Sequence, residues 1–88
     1  MQEKLLTMIV LDSAAPGPRL GLAISARAVP LAVSRNRIKR LARETFRARR
    51  AALPAADIVL QARSAAAAAP AAEVRATLER MWRRLGGS

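Results

Sequence analysis

The residues of this chain that could do chemistry are cationic, and half of them fall in one short stretch. Eight of the sixteen Lys and Arg residues lie between Arg35 and Arg50, where Glu44 is the only acid. Seven of those eight are arginines, whose planar guanidinium groups donate paired hydrogen bonds to phosphate. The chemistry that this stretch predicts is the binding of phosphate groups on a polyanion.

The sequence provides little for catalysis by the polypeptide itself. It contains no histidine and no cysteine, which excludes disulfides, thiolate zinc sites and histidine general bases. Its six acids occur singly, and no spacing places two carboxylates on one element for metal binding or acid–base work. We therefore expect no catalytic residue, no metal ligand and no cofactor bound by this chain alone.

Length and charge limit the class of protein. The 88 residues predict a single domain over 1–88, and a net charge of +10 predicts a polyanionic partner. The first apolar run, Leu5 to Leu11, is too short to span a membrane and lacks a basic leader. We expect a nucleic-acid-binding domain with no membrane partner.

The first half of the chain predicts two strands. Lys4 to Leu11 and Arg19 to Ala26 are rich in apolar and β-branched residues. The turn formers of 12–18, ending in Pro-Gly-Pro, separate them. We expect these two strands to pair as an antiparallel hairpin with a long loop.

The second half predicts helix, strand and helix. The basic helix begins between Ala32 and Ser34, with Ser34 as the candidate N-cap, and runs to about Leu53, where Pro54 stops it. The apolar run in Asp57 to Ala62 predicts a buried, central strand. The alanine tract 64–72 is either a linker or a flexible stub.

Glu73 to Leu85 predicts a final amphipathic helix, ended by Gly86-Gly87. Its apolar stripe repeats at helical spacing and consists of Val74, Leu78, Met81, Trp82 and Leu85. Trp82 on this stripe is expected in the core rather than as a base-stacking platform. The predicted fold class is α+β, a two-layer sandwich of order strand-strand-helix-strand-helix, with both helices on one face of a small sheet.

A helical projection divides the basic helix into two faces. With Arg35 at zero, a cationic arc between about 40° and 140° holds Lys39, Arg40, Arg43, Arg47 and Arg50. The opposed apolar arc holds Ile38, Leu41, Ala42, Ala48 and Ala52. Phe46 falls at the seam between them. One face is therefore expected to pack on the sheet while the other binds phosphates.

By its charge alone, a cationic helix could bind several kinds of partner. The low aromatic content argues against binding by base stacking and favours folded RNA. No DNA partner is expected, because strands flank the helix and no second helix is available for a helix-turn-helix. An apolar arc made mostly of alanine is weak for membrane insertion. Asn36 is equally well explained as an RNA contact or as a brace for the helix start.

The basic helix also resembles a known signature. Arg35-Asn36-Arg37-Ile38-Lys39-Arg40, followed by Arg43-Glu44 and Phe46-Arg47, resembles the signature helix of the bacterial ribonuclease P protein component. Segments 18–22, 57–63 and 78–84 are similar to strands and the last helix of that family. The resemblance covers nearly the whole chain.

The resemblance implies an accessory subunit of an endoribonuclease in the cytoplasm. The subunit binds the catalytic RNA and precursor tRNA, and promotes removal of the tRNA 5′ leader. The RNA subunit is implied to be the catalyst, with Mg²⁺ in the holoenzyme. The fold implied includes an unusual left-handed crossover through the basic helix between parallel strands, where general rules favour a right-handed one.

Carried over by position, the RNA-binding residues implied are Arg27, Arg35, Asn36, Arg37, Lys39, Arg40 and Arg43, and the cationic arc adds Arg47. The family normally has a further segment ahead of the first strand, including a short helix whose aromatic side chains line the leader-binding cleft. The present sequence starts after that point, so we expect an N-terminally shortened domain with an incomplete cleft and exposed apolar sheet surface.

The alternative function is a non-enzymatic RNA-binding module, such as a ribosomal or RNA-assembly protein. It would use the same helix.

Overall fold

The computed structural model describes residues 1–86 and confirms the predicted order of elements. The strands and helices are β1 (Leu6–Asp12), β2 (Arg19–Ala23), α1 (Ala32–Arg49), β3 (Ala56–Ala62) and α2 (Ala71–Gly86). Two short 3-10 helices, Arg50–Ala52 and Ser64–Ala67, follow α1 and β3. The predicted α+β fold class is therefore confirmed.

The strands form one sheet in which β3 lies between β1 and β2. β3 pairs antiparallel with β1, from Leu6 opposite Ala62 to Asp12 opposite Ala56. It pairs parallel with β2, where Arg19 lies opposite Asp57. The central position of β3 and the parallel strand-helix-strand unit are confirmed, whereas the hand of the crossover stays a prediction.

The predicted hairpin between the first two strands is wrong, because β3 separates them. Asp12 and Arg19 both lie at the start of β3, opposite Ala56 and Asp57. Two strand spacings of about 4.8 Å each separate β1 from β2, and the six-residue segment 13–18 is long enough to cross that gap. The apolar strand β3 thereby pairs with a strand on each side. A β1–β2 hairpin would have left β3 with a pairing partner on one side only.

One face of the sheet is covered and the other is open. Ile58 and Leu60 on β3, with Leu6 and Met8 on β1, are at most 1% exposed and face the helices. On the opposite face Ile9 is 38% exposed and Leu11 is 53% exposed. The expected exposed apolar sheet surface is therefore present.

Both helices contribute to the single core above the covered face. The stripe predicted for α2 is confirmed: Val74, Leu78, Met81 and Trp82 are buried, and Leu85 packs partly buried against them. Trp82 is accordingly a core residue, as predicted.

The apolar face of α1 differs from its prediction. The helix buries Ile38, Leu41, Ala42, Thr45 and Phe46. Ala48 and Ala52 are exposed instead. The buried arc is rotated toward the larger side chains, since burying Phe46 removes far more apolar surface from water than burying an alanine.

A hydrogen bond between the helices explains why Thr45 is buried. Trp82 Nε1 donates to Thr45 Oγ1 at 2.8 Å, and the Thr45 hydroxyl donates to the Leu41 carbonyl, also at 2.8 Å. The rings of Phe46 and Trp82 lie 5.6 Å apart in a tilted arrangement. This contact fixes the rotation of α1 about its axis.

The start of α1 and the alanine tract also differ from the sequence-based expectations. Leu31 occupies the N-cap position of α1 without a side-chain hydrogen bond, so Ser34 is not the cap. Leu31 directly follows Pro30, the helix starts at Ala32, and the Arg35 amide already donates to the Leu31 carbonyl. Part of the alanine tract is an ordered 3-10 helix with Ala66 buried. Gly87, predicted to end the last helix, lies outside the described residues.

The Thr45–Trp82 hydrogen bond predicts a specific stability effect. Thr45→Val keeps the side-chain volume but leaves the buried Trp82 N–H unsatisfied, so the free energy of unfolding should fall by about 1–3 kcal/mol. In a Trp82→Phe background the same substitution should cost much less, because no donor remains. Urea unfolding of the four proteins measures this coupling, and equal costs in both backgrounds would contradict it.

Candidate nucleic-acid interface

The exposed side of α1 carries a continuous set of cations. Arg37, Arg40, Arg43 and Arg47 are exposed and Lys39 is partly exposed, while the buried arc holds the other side of the helix against the core. We call this set, together with Arg50, the cationic face. The projection predicted the position of every member except Arg37, which falls outside the predicted cationic arc. Lys39, Arg43, Arg47 and Arg50 line one concavity beside β2.

Two acids on the helices, Glu44 and Glu79, pair mainly with arginines outside the cationic face. Glu79 of α2 pairs with Arg49 at 3.2 Å and turns that arginine toward the helix–helix contact. Glu44 pairs with Arg75 of α2 at 3.1 Å, and Arg40 approaches its other oxygen only at 3.9 Å. These ion pairs join α1 to α2 and leave most of the cations on α1 uncompensated.

Two further acids neutralise arginines at the periphery. Asp57 receives two hydrogen bonds from Arg19, at 2.7 and 2.9 Å, and these hydrogen bonds hold the pKa of the Asp57 carboxyl below its ordinary value. Glu3 accepts a hydrogen bond from Arg80 at 2.8 Å and ties the start of the chain to α2.

One group of cations on the cationic face has no carboxylate of residues 1–86 within 4.0 Å. The group is Arg37, Lys39, Arg43, Arg47 and Arg50. Because charges in this group are fixed on one side of a helix, they produce a local positive field suited to phosphates.

The remaining predicted site residues lie around the start of α1. Arg35 is partly buried, and its Nη1 donates to the carbonyls of Val29 and Pro30 at 2.9 and 2.8 Å. Asn36 is exposed beside the cationic face, and Arg27 is exposed in the turn that precedes α1. Arg35 therefore has a structural task, holding the loop before the helix, whether or not it also contacts RNA.

Arg35 holds the loop whereas Arg37 is exposed, and the free energy of unfolding of variants at the two positions tests this difference. Arg35→Gln should lower the free energy of unfolding by about 1 kcal/mol, because two loop carbonyls lose a charged donor. Arg37→Gln, on the exposed side, should change it by less than about 0.5 kcal/mol. Urea unfolding measures both, and indistinguishable values would show that Arg35 does not hold the loop.

Sequence reasoning did not list Arg50 among the RNA-binding residues, and it omitted two strand residues that complete this surface. The guanidinium of Arg50 lies 5.7 Å from the centroid of the Phe46 ring, and Leu20 and Leu22 of β2 lie beneath the cations of α1. The projection did place Arg50 on the cationic arc. The strand residues could not be found this way, because their position depends on how β2 packs beside the helix.

The described part of the chain contains neither a metal-binding cluster nor a membrane-spanning helix. Within residues 1–86, no three His, Cys, Asp or Glu side chains are grouped so that they could hold a metal ion. No helix in this range is long and apolar enough to cross a membrane.

The fold and the surface define a small basic α+β domain that presents a cationic helix beside an edge strand. The family model described as Ribonuclease P matches residues 1–86. The chain therefore belongs to the ribonuclease P protein family.

Two relatives and two solved structures show how close the similarity is. The chain is 48% identical to the ribonuclease P protein component of Thioalkalivibrio sulfidiphilus over 79 residues, covering 90% of this chain and 66% of the relative. It is 44% identical to that of Methylococcus capsulatus over 87 residues, covering 94% and 68%. The chain thus spans about two thirds of the length of these relatives.

The fold agrees with RNase P proteins from more distant bacteria. The Staphylococcus aureus protein superimposes with a TM-score of 0.86 at 26% identity, covering 96% of this chain and 77% of that one. The Thermotoga maritima protein gives a TM-score of 0.79 at 25% identity, with 96% and 80% covered. The family resemblance read from the basic helix is confirmed.

Proposed function

We propose that this chain acts as the protein component of ribonuclease P, binding the catalytic RNA through the cationic face and promoting removal of the 5′ leader from precursor tRNA. The observation that carries the proposal is the uncompensated set of cations on α1, in a chain that belongs to this family. Fixed guanidinium groups recognise the phosphates of folded RNA by position.

In this proposal the protein binds RNA and the RNA subunit performs the cleavage. The carboxylates within residues 1–86 do not fit a magnesium site of their own, because no three of them are grouped and Glu3, Asp57 and Glu79 each face an arginine. We therefore assign the Mg²⁺ ions of the holoenzyme to the RNA. The proposed location is the cytoplasm, where precursor tRNA is processed.

Precursor tRNA is the second proposed partner. The cationic face lowers the electrostatic cost of bringing two polyanions together, since neutralised phosphates release their counterions. Its contribution should therefore be largest when little magnesium is present. The alternative of a ribosomal or assembly protein uses the same helix, but family membership favours ribonuclease P.

A cleavage assay tests the proposed activity. At low magnesium, adding this chain to a bacterial ribonuclease P RNA should increase the rate at which the 5′ leader is removed from precursor tRNA. A longer family member provides the positive control in the same assay. If that protein stimulates cleavage and this chain does not, the proposal fails for the chain as given.

A salt titration tests the surface that we assign to RNA. Arg37→Gln should weaken binding to ribonuclease P RNA and reduce the slope of log K against log salt by about one. Arg83→Gln, an exposed arginine of α2 outside the cationic face, should leave that slope nearly unchanged. Equal effects of the two substitutions would mean that binding follows net charge rather than this face.

A further inference from the structure

Lys39 is the one amine among the guanidinium groups of the cationic face. The concavity beside β2 has a volume of about 440 Å³, and the cations that line it are Lys39, Arg43, Arg47 and Arg50. An arginine side chain stays protonated in proteins, whereas a lysine can lose its proton and act as a nucleophile. Lys4 and Lys39 are the only lysines of the chain. The cationic face therefore contains a single side chain that an acyl donor can modify.

Small molecules in solution can reach the Lys39 amine. Its partly exposed side chain lines this concavity and also a second one, which extends to Ser25 and Gln61. No carboxylate of residues 1–86 lies within 4.0 Å of the Lys39 ammonium. A reagent can therefore approach the amine without displacing an ion-pair partner.

The arginines beside Lys39 suit the anionic end of an acyl donor. Arg43 follows Lys39 by one helical turn, so the Cβ atoms of the two residues lie about 5–6 Å apart on the same side of α1. Guanidinium groups bind phosphate through paired hydrogen bonds, and Arg43 and Arg47 have no carboxylate of residues 1–86 within 4.0 Å. An acyl phosphate whose phosphate is bound by Arg43 has its carbonyl carbon close to the Lys39 amine.

The other lysine, Lys4, lacks this arrangement. It is exposed and directly follows Glu3, whose carboxylate accepts a hydrogen bond from Arg80 at 2.8 Å and lies 3.9 Å from Arg84. These two arginines are already next to a carboxylate, which repels an anionic donor. The chain thus contains its own control, a lysine without uncompensated arginines beside it.

We propose that Lys39 is an acetylation site for acyl phosphates and that its modification weakens RNA binding by the cationic face. The neutral Lys39 amine attacks the carbonyl carbon of acetyl phosphate. An amide N–C bond forms, and the bond from that carbon to the bridging phosphate oxygen breaks. Inorganic phosphate leaves, and the proton lost by the amine passes to phosphate or water. The inference rests on the proposed RNA-binding function, because it assigns a regulation to the same surface.

Acetylation changes the charge of the RNA-binding surface. It converts the Lys39 ammonium into a neutral amide, so the cations without a nearby carboxylate carry one charge fewer. Binding to RNA should then be severalfold weaker, and the slope of log K against log salt should fall by about one. Because RNA phosphates occupy the same side chains, bound RNA should in turn protect Lys39 from acetylation.

The first experiment measures the rate of acetylation at each lysine. The full chain is incubated with acetyl phosphate, and peptide mass spectrometry follows the acetylated fraction at Lys39 and at Lys4. Lys39 should react at least about fivefold faster than Lys4, because a bound donor has a high effective concentration. Inorganic phosphate should slow the reaction at Lys39 alone, relative to sodium chloride at the same ionic strength.

Two charge-matched substitutions test the role of the arginines. Arg43→Gln should lower the rate at Lys39 toward the rate at Lys4. Arg83→Gln, on α2 outside the cationic face, should leave the rate at Lys39 unchanged. Urea unfolding verifies that each variant is folded. Equal rates at the two lysines, or equal effects of the two substitutions, would overturn the site.

The second experiment connects the modification to RNA. Fluorescence anisotropy measures binding to ribonuclease P RNA across a range of salt concentrations, before and after treatment with acetyl phosphate. The treated chain and treated Lys4→Arg should both bind more weakly and with a smaller salt slope. Lys39→Arg keeps the positive charge and has no amine at this position, so the same treatment should leave its affinity unchanged.

The outcomes separate this inference from the function on which it rests. Acetylation of Lys39 without a change in RNA affinity would overturn the regulation and leave the RNA-binding function standing. A loss of affinity that Lys39→Arg does not prevent would also overturn it, since another group would then be responsible. If the untreated chain shows no salt-dependent binding to RNA, the proposed function fails, and the acetylation rates still decide whether Lys39 is the modified residue.

Discussion

The contact between Trp82 and the Thr45–Phe46 pair is the interaction on which the rest of the structure depends. The hydrophobic arc of α1 is built from few large side chains. Burial of this arc alone therefore does not fix the rotation of the cationic helix about its own axis. By accepting the Trp82 N–H at 2.8 Å, Thr45 fixes which side of α1 faces inward. The same rotation turns the cationic face toward solvent and places the Phe46 ring beside the Arg50 guanidinium.

The distribution of acids follows from this orientation. The chain has six acids for sixteen basic residues, and those on or near the helices are used between elements: Glu79 with Arg49, and Glu44 with Arg75. Exposed ion pairs of this kind contribute little to stability. Their larger effect is to leave the opposite side of α1 without negative charge, which concentrates the positive field where RNA is proposed to bind.

The strand order has a second consequence for the surface. Because β3 takes the centre of the sheet, β2 becomes an edge strand, and its Leu20 and Leu22 lie beside the cations of α1. A β1–β2 hairpin, as the turn-rich loop predicted, could have placed β2 between two neighbours and removed its free backbone edge. The long Pro-Gly-Pro loop is therefore not only a connection, since its length permits β3 to insert between the first two strands.

Local sequence by itself determined the existence and order of the elements, the buried stripe of α2 and the cationic side of α1, because helical and strand periodicities are local properties. The resemblance of 35–47 to a family signature also pointed to the parallel strand-helix-strand unit. Tertiary structure alone decided that Thr45 is buried while Ala48 is exposed, that Arg35 holds a loop and Arg49 faces Glu79, and that β1 and β2 lie apart. Each of these depends on a partner distant in the chain: Trp82, the 29–30 carbonyls, Glu79 and β3. No periodicity within a single element encodes which distant partner a side chain meets.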